Sequence, residues 1–149
     1  MSFLQSLKFG LRLLANKRVT PGVPAIIKNS RGEILLGKRS KNVFTYPGYW
    51  GLPGGIIEYG ETVEQAIKRE LKEELGIESE FIKYGKPYTD LPTKESPFHG
   101  IAIPVYCSIK GEPESKDETS EVKWFKPKEI KEMNLAYNHK KILKQEGVI

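Results

Sequence analysis

Residues 55–77 read GIIEYGETVEQAIKRELKEELGI, and this segment carries the clearest structural pattern in the chain. It predicts a helix over residues 62–75. Thr62 can cap the N-terminus of that helix, with Gln65 three residues later to complete a capping box. Gly76 can end the helix, because glycine readily adopts the left-handed conformation common at helix C-termini.

The predicted helix has an apolar face and an acidic face side by side. Three glutamates project from one side over an arc of about 100°; they are Glu70, Glu73 and Glu74. The adjoining arc can bury against a sheet; it holds Val63, Ile67, Leu71 and Leu75.

Carboxylates crowded in this way repel one another, which costs free energy unless something compensates for it. A hard divalent cation does so by binding the oxygens, and Mg²⁺ prefers a few carboxylates together with water and phosphate oxygens. The alternative is a solvated acidic face balanced by Lys68, Arg69 and Lys72. The three glutamates alone do not decide between these interpretations.

The spacing of the whole segment is more specific than its acidic face. Gly55 is followed after five residues by Glu61, and Glu61 after seven residues by the run RELKEELGI that begins at Arg69. This pattern resembles the Nudix box at every defining position, and the number of fixed residue types makes chance agreement negligible. Residues 50–55, with the sequence WGLPGG, and residues 118–125 also resemble their counterparts in small Nudix proteins.

The resemblance implies an α/β fold, a Nudix-type α/β/α sandwich with a mixed β-sheet in which the box forms a loop–helix–loop. It also implies a hydrolase that uses Mg²⁺, or Mn²⁺ in its place, to cleave a P–O–P linkage in a nucleotide-like substrate. The residues that match catalytic or metal-binding positions are Glu70, Glu73, Glu74, Glu118 and the backbone carbonyl of Gly54 or Gly55. Glu70 also matches the position proposed as general base in some members.

Two further expectations follow from the resemblance. Glu61 and Arg69 match a structural ion pair that braces the loop, and neither is expected to take part in the chemistry. The extra carboxylate outside the box is Glu118 by its offset from the last predicted strand, with Glu121 as the alternative and Glu95 as a weaker one.

Candidate substrate contacts precede the box. Arg39, at the end of a predicted strand, could touch a phosphate, and Tyr46, Tyr49 or Trp50 could stack a base. Tyr49 and Trp50 cannot both face one side of a strand, so at least one is expected in the core. Arg39, Tyr46 and Trp50 are the predicted substrate-binding residues. Pro92 lies 15 residues past the box, and a proline near this offset resembles the pattern of the ADP-ribose pyrophosphatase group. This resemblance makes ADP-ribose the leading candidate substrate.

The remaining pattern predicts one domain over residues 19–149, preceded by an amphipathic helix within residues 1–18. The apolar face of that helix predicts packing on its own domain or dimerisation, with a membrane surface as the alternative; it holds Leu4, Leu7, Leu11 and Leu14. Strands are predicted at residues 23–28, 33–38, 49–52, 79–88, 101–109 and 122–125, and two more helices near 127–133 and 137–145.

Composition bounds the class of protein. With 149 residues, 38% hydrophobic and 29% charged, the chain has the profile of one globular domain. It shows no apolar run near the roughly 20 residues of a membrane span and no signal-peptide pattern, and its single cysteine, Cys107, excludes an internal disulfide. We therefore expect a cytoplasmic protein. The net charge of +5 suits a polyanionic small molecule such as a nucleotide, while the absence of a basic block argues against a nucleic-acid partner.

Several functions remain open from the sequence. The first is hydrolysis of a nucleoside diphosphate derivative, and the second is hydrolysis of nucleoside triphosphates to clean the nucleotide pool. A non-catalytic ligand-sensing module is the third, against which the intact glutamates argue. An isoprenoid diphosphate isomerase and an RNA-decapping enzyme are disfavoured, because no cysteine–glutamate pairing and no flanking RNA-binding domain are evident.

Overall fold

The structure is a computed structural model that describes residues 2–94 and 96–149. Its helices are α1 (Phe3–Asn16), α2 (Val63–Leu75), α3 (Pro127–Lys131) and α4 (His139–Gln145). Its strands are β1 (Thr20–Ile26), β2 (Ile34–Arg39), β3 (Trp50–Gly51), β4 (Gly54–Ile56), β5 (Glu78–Tyr84), β6 (Tyr88–Asp90), β7 (Gly100–Ala102), β8 (Val105–Lys110) and β9 (Thr119–Phe125).

A mixed sheet lies at the centre of the molecule. Its strands follow the order β5-β8-β1-β7-β6, and β4 also pairs with β1. Strand β1 is parallel to both β7 and β8, whereas the other pairs of this sheet are antiparallel. A second sheet, with the order β3-β2-β9, is antiparallel throughout.

Helices cover both faces of these strands. Successive residues of a strand point to opposite faces, and here each face has its own core. Ala25 and Leu35 pack in one core with the apolar face of α2. Ile26 and Leu36 pack in the other with residues of α3 and α4. The predicted α/β/α sandwich with a mixed sheet is therefore confirmed.

Helix α2 is held at both ends by the predicted caps. The Thr62 side chain accepts a hydrogen bond from the Gln65 backbone N–H at 3.2 Å, and the Thr62 N–H donates to the Gln65 side chain at 2.9 Å. Gly76 closes the helix with φ of +64°. Burial of Ile67, Leu71 and their apolar neighbours turns the adjoining acidic face away from the core.

Two predicted strands are interrupted in the structure, both at or near a proline, and one further strand was not predicted. The strand predicted at 79–88 is interrupted near Pro87 into β5 and β6, and the strand predicted at 101–109 is interrupted at Pro104 into β7 and β8. Proline has no N–H to donate to a ladder, which explains both breaks. Strand β4 was not predicted, because its Gly-Gly-Ile sequence has the residue types of a turn.

Helix α1 contacts the domain at Gly10. Gly10 is buried, and a Cβ there would lie 3.1 Å from the Phe98 ring and 3.2 Å from the Phe44 ring. Leu4 and Leu11 remain more than half exposed, while the side chain of Leu14 lies outside the described part of the structure. The close approach at this glycine therefore brings α1 to the domain. Over residues 2–94 and 96–149, no helix has the length and apolar character to cross a membrane.

Candidate active site

A pocket of about 1080 Å³ collects segments that are distant in sequence. The pairing of β1 with β4 places the Gly54–Ile56 strand along one wall, next to the acidic face of α2. Helix α1, the residues that follow β2 and β6, and the start of α4 form the other walls. The pocket therefore joins the carboxylates of α2 to groups from both ends of the chain.

An Arg69–Glu61 ion pair fastens the loop before α2 to the helix itself. The Arg69 Nε donates to Glu61 Oε1 at 2.6 Å, and Nη2 donates to Oε2 at 2.9 Å. The same Nη2 donates to the Ile56 carbonyl at 3.0 Å, and the Glu58 N–H donates to Glu61 at 2.9 Å. Hydrogen bonds from Arg69 lower the pKa of Glu61 to about 2. The guanidinium therefore sets the position of the loop relative to the acidic face.

Replacing Glu61 with glutamine is expected to lower kcat about tenfold, because the loop loses its charged anchor without losing a group that touches substrate. The substitution also removes a pH-dependent contribution to stability. The Glu61 pKa is depressed, so the pair stabilises fully above the ordinary carboxyl pKa of 4.5, and this stabilisation is lost as pH falls towards about 2.

Activity assays and thermal unfolding between about pH 2 and pH 7 check this prediction. The stability gap between the parent and Glu61→Gln should close as pH falls through that window. Glu58→Gln is the control, because Glu58 is largely exposed and lies 3.9 Å from Arg69. An equal effect of both substitutions would contradict a bracing role for Glu61.

The Glu70 carboxylate lies directly against the Gly54–Ile56 backbone. A Cβ on Gly55 would overlap both oxygens of Glu70, so only glycine fits beside that carboxylate. Arg69 Nη1 donates to Glu70 Oε1 at 2.9 Å. Burial raises the pKa of Glu70, and the Arg69 charge opposes that rise. The glycine therefore makes room for a carboxylate at the surface of the pocket.

Glu74 approaches the same strand one turn further along α2. The Gly54 N–H donates to Glu74 Oε2 at 3.0 Å. Gly54 has φ of +137°, and a Cβ there would overlap the Val23 carbonyl, so this bend also requires glycine. Burial, followed by repulsion from Glu70, raises the pKa of Glu74 to about 8.

Glu118 supplies a carboxylate from outside α2. Its backbone carbonyl accepts a hydrogen bond from the Ser40 N–H at 2.8 Å, which places residue 118 beside the end of β2. Among the described residues, Glu118 Oε1 is buried and has no hydrogen-bond partner. Burial raises the pKa of Glu118, and the charge of Arg39 opposes this rise. The charge of Glu118 also raises the pKa of Glu74, because like charges in one pocket repel each other.

This set of groups fits a hard divalent cation. Glu70, Glu74 and Glu118 could supply oxygen ligands, and a cation would remove the cost of their burial and of the unpaired Glu118 oxygen. In the part of the chain that the structure describes, no three acidic, histidine or cysteine side chains are already close enough to enclose an ion. Glu73 is half exposed and lies 3.4 Å from Arg69. Binding of a cation by these carboxylates would therefore require side-chain rotation.

Arg39 brings a positive charge to the pocket, and its position is fixed by its surroundings. Its Nε donates to the Thr45 carbonyl at 2.8 Å, and its guanidinium lies 5.3 Å from the centre of the Tyr137 ring. The Tyr46 and Tyr137 rings are 4.7 Å apart. Both tyrosines have φ near +50°, a strained conformation for a side-chain-bearing residue that is typical of functional sites.

A family model described as the NUDIX domain matches residues 18–145. The chain belongs to the Nudix family. It is 37% identical over 113 residues to the ADP-ribose pyrophosphatase of Methanocaldococcus jannaschii, covering 75% of this chain but only 64% of that protein. It is 31% identical over 134 residues to the nucleoside triphosphatase NudI of Escherichia coli, covering 83% of this chain and 94% of that protein.

A solved structure agrees with this assignment. The MutT protein from Methanosarcina mazei superimposes with a TM-score of 0.76 at 26% identity, over 87% of this chain and 93% of that chain. The prediction of a Nudix pyrophosphohydrolase is therefore confirmed at the level of the family, and the 55–77 segment is its Nudix box.

Most predicted site residues of this Nudix domain meet at the pocket. Those that line it are Arg39, Tyr46, Gly54, Gly55, Arg69, Glu70, Glu73, Glu74 and Glu118. Glu61 does not line the pocket and instead pairs with Arg69. Glu121 is exposed and lies 3.6 Å from Lys38, outside the pocket, whereas Glu118 lines it. Glu95 lies outside the described residues.

The structure does not bring Trp50 to the pocket. Its ring packs against Phe125, with centroids 4.9 Å apart, beside the core formed with α3 and α4. Strand β3 sets this orientation, because Trp50 pairs with Lys38 of β2 on one side and bridges Leu135 on the other. Trp50 is therefore a packing residue that does not line the pocket, a position that does not favour the base-stacking role predicted for it.

Sequence reasoning missed the contribution of the chain's C-terminal part. Tyr137, Asn138 and His139 all line the pocket, and Asn138 donates a hydrogen bond to Asp90. Nothing local distinguishes these residues, since their roles depend on contacts across about half of the chain. A left-handed tyrosine just before a helix has no sequence signature of its own.

Proposed function

We propose that this chain hydrolyses the P–O–P linkage of a nucleoside diphosphate derivative, with ADP-ribose as the leading substrate and Mg²⁺ as the cofactor. The observation that carries the proposal is that Glu70, Glu74 and Glu118 line one pocket together with Arg39. A divalent cation bound among these carboxylates would offset the cost of burying them, and it would pair the Glu118 oxygen that has no hydrogen-bond partner among the described residues.

The proposed metal ligands are the carboxylates of Glu70, Glu73, Glu74 and Glu118, with a backbone carbonyl from the Gly54–Gly55 bend. Bound Mg²⁺ would neutralise phosphate oxygens and help to form hydroxide from water. Mn²⁺ prefers similar oxygen ligands and is expected to substitute. The Glu61–Arg69 pair would position these ligands without touching substrate.

The proposed reaction is attack of water on one phosphorus of the diphosphate. A glutamate of the cluster accepts the proton from water, the new P–O bond forms, and the bridging P–O bond breaks. The second phosphate leaves with the bridging oxygen, so that ADP-ribose gives AMP and ribose 5-phosphate. Arg39 donates to the phosphate oxygens, where negative charge accumulates.

A second candidate function is hydrolysis of nucleoside triphosphates. The likeness to NudI, which extends over nearly all of that protein, favours it, whereas the likeness to the ADP-ribose pyrophosphatase favours the first. The two reactions use the same carboxylates and differ in the leaving group. They are therefore separated by substrate preference rather than by the site.

The deciding experiment compares turnover of ADP-ribose, sugar nucleotides, dinucleoside polyphosphates and nucleoside triphosphates with Mg²⁺. The proposal predicts the highest kcat/KM for ADP-ribose and no turnover with EDTA. Preference for a triphosphate would replace the first function by the second. Tight ligand binding without any turnover would instead indicate a ligand-sensing module.

Changing Arg39 to lysine is expected to raise KM about tenfold while changing kcat less. Lysine keeps the charge but loses the planar fork that suits phosphate oxygens and the Thr45 carbonyl. Steady-state kinetics on the best substrate measure this effect. Lys38→Ala serves as the control, because that side chain lies over Trp50 rather than in the pocket. A parent-like KM for Arg39→Lys would remove Arg39 from substrate binding.

The proposal includes a cytoplasmic location and a homodimer formed through α1. Phe3, Leu4 and Leu11 are each more than half exposed on that helix, which gives a partner subunit an apolar surface. Light scattering on the full chain, compared with a chain that lacks residues 1–18, tests this. Equal masses at the monomer value for both proteins would refute the dimer.

A further inference from the structure

His139 begins α4 at the wall of the pocket, and its ring is held in one orientation. The Leu52 backbone N–H donates to His139 Nδ1 at 3.0 Å. This approach needs a glycine next in the strand, because a Cβ on Gly51 would lie 2.9 Å from the same Nδ1. The backbone of β3 therefore packs directly on the imidazole edge.

That hydrogen bond fixes the tautomer of the ring. A nitrogen that accepts a hydrogen bond carries no proton, so the neutral imidazole of His139 carries its proton on Nε2. Burial, assisted by the Arg39 charge, lowers the pKa of His139 to about 3. Among the described residues, no group is hydrogen-bonded to Nε2. The ring thus offers one N–H donor and has no lone pair free for a general base.

Arg39 relates His139 to the carboxylates. The Arg39 charge lowers the pKa of Glu74, Glu118 and His139, so all three lie within its electrostatic reach. The Tyr137 ring lies near both the guanidinium of Arg39 and the imidazole, whose centroid is 5.4 Å away. A diphosphate bound at the carboxylates and Arg39 would therefore pass close to His139.

On the basis of the function proposed above, we propose that His139 is a substrate-binding residue whose Nε2–H donates to a phosphate oxygen of the diphosphate. A neutral donor suits this place, because it adds a hydrogen bond without adding a second positive charge beside Arg39. The contact is with substrate itself, so its loss should appear mainly in KM.

Two substitutions separate this role from a structural one. His139→Asn keeps an acceptor near the position of Nδ1 for the Leu52 N–H but removes the donor. His139→Gln keeps a donor near the position of Nε2 but loses that acceptor. Substrate binding predicts a rise in KM of about tenfold to a hundredfold for the asparagine variant and a near-parental KM for the glutamine variant. The reverse order, with the glutamine variant the more impaired, would overturn the proposal.

Thermal unfolding of both variants shows that each is folded under the assay conditions. Nitrogen NMR of ¹⁵N-histidine protein then observes the ring directly, and the chain has only two histidines, which makes assignment simple. With Mg²⁺ present, inorganic pyrophosphate should shift the Nε2 resonance of His139, and adenosine should not.

A shift caused by adenosine alone, or no shift with either probe, would overturn the proposal. The NMR result does not depend on turnover. If the parent protein hydrolyses none of the nucleotides, the proposed function fails while the phosphate contact of His139 is still decided by its response to pyrophosphate. If the parent is active and Nε2 does not respond, only the inference about His139 fails.

Discussion

Replacing Glu74 with glutamine is expected to lower kcat about a thousandfold and, at the same time, to raise the melting temperature of the metal-free protein. The loss of activity follows from removal of a metal ligand, since charge stabilisation by a metal contributes several kcal/mol and each 1.36 kcal/mol is a factor of ten in rate. Glutamine can still accept the hydrogen bond from the Gly54 N–H. The gain in stability follows because glutamine, unlike the Glu74 carboxylate, carries no charge that is costly to bury.

The sign of the stability change depends on pH. Burial raises the pKa of Glu74 to about 8, so between pH 4.5 and about 8 the folded protein keeps a proton that the unfolded chain loses. Folding of the parent is therefore increasingly disfavoured as pH rises through that window. The melting temperature of Glu74→Gln should exceed that of the parent by a few degrees near pH 8 and converge with it near pH 4.5.

Thermal unfolding in EDTA and steady-state assays in Mg²⁺ measure the two halves of this prediction. Glu80→Gln is the control, because Glu80 is exposed and pairs with Lys110 at 3.0 Å, far from the pocket. An active Glu74→Gln enzyme would remove Glu74 from the metal site and revive the ligand-sensing alternative. A loss of both activity and stability would show that Glu74 is mainly structural.

Adding one methyl group at Gly55 is expected to lower kcat about a hundredfold or more. The new Cβ of Gly55→Ala would overlap the Glu70 carboxylate, so Glu70 must leave its position against the strand. A displacement of about 1 Å at a catalytic group is enough for an effect of this size. Gly55 does not have a positive φ, so the effect comes from the clash and not from backbone strain.

Gly22→Ala provides the matched control for Gly55→Ala. Gly22 lies on β1, the strand paired with β4, and a Cβ there would meet the Gly55 carbonyl at an ordinary 3.6 Å. Both substitutions add one methyl group to the same pair of strands, but only one meets a carboxylate. Kinetics and unfolding of both variants separate lost activity from lost stability. Similar activities for the two variants would contradict a role for Gly55 in placing Glu70.

The parts of the site that were predicted correctly are those encoded by local spacing. The capping of α2 by Thr62 depends on residues within one turn, and the acidic face depends on intervals of three and four residues. The Glu61–Arg69 pair joins residues eight apart within one motif. Short-range geometry of this kind is fixed once the helix forms, so the sequence pattern is sufficient.

The parts that were missed depend on long-range pairing. The orientation of Trp50 is set by β2 on one side and by Leu135 on the other, and neither partner is implied by the strand's own residues. His139 acquires its tautomer from Leu52, which lies 87 residues away. The approach of α1 through Gly10 likewise depends on Phe44 and Phe98, which the leucine pattern of the helix does not indicate.

We propose that Glu70, Glu74 and Glu118 hold a divalent cation against a diphosphate. A crystal structure with Mn²⁺ and a non-hydrolysable methylene analogue of ADP-ribose tests it, because anomalous scattering locates the metal. We predict a peak about 2 Å from oxygens of Glu70 and Glu74, shared with the diphosphate, with Glu118 beside it. A metal bound elsewhere, with these carboxylates turned towards bulk water, would contradict the claim.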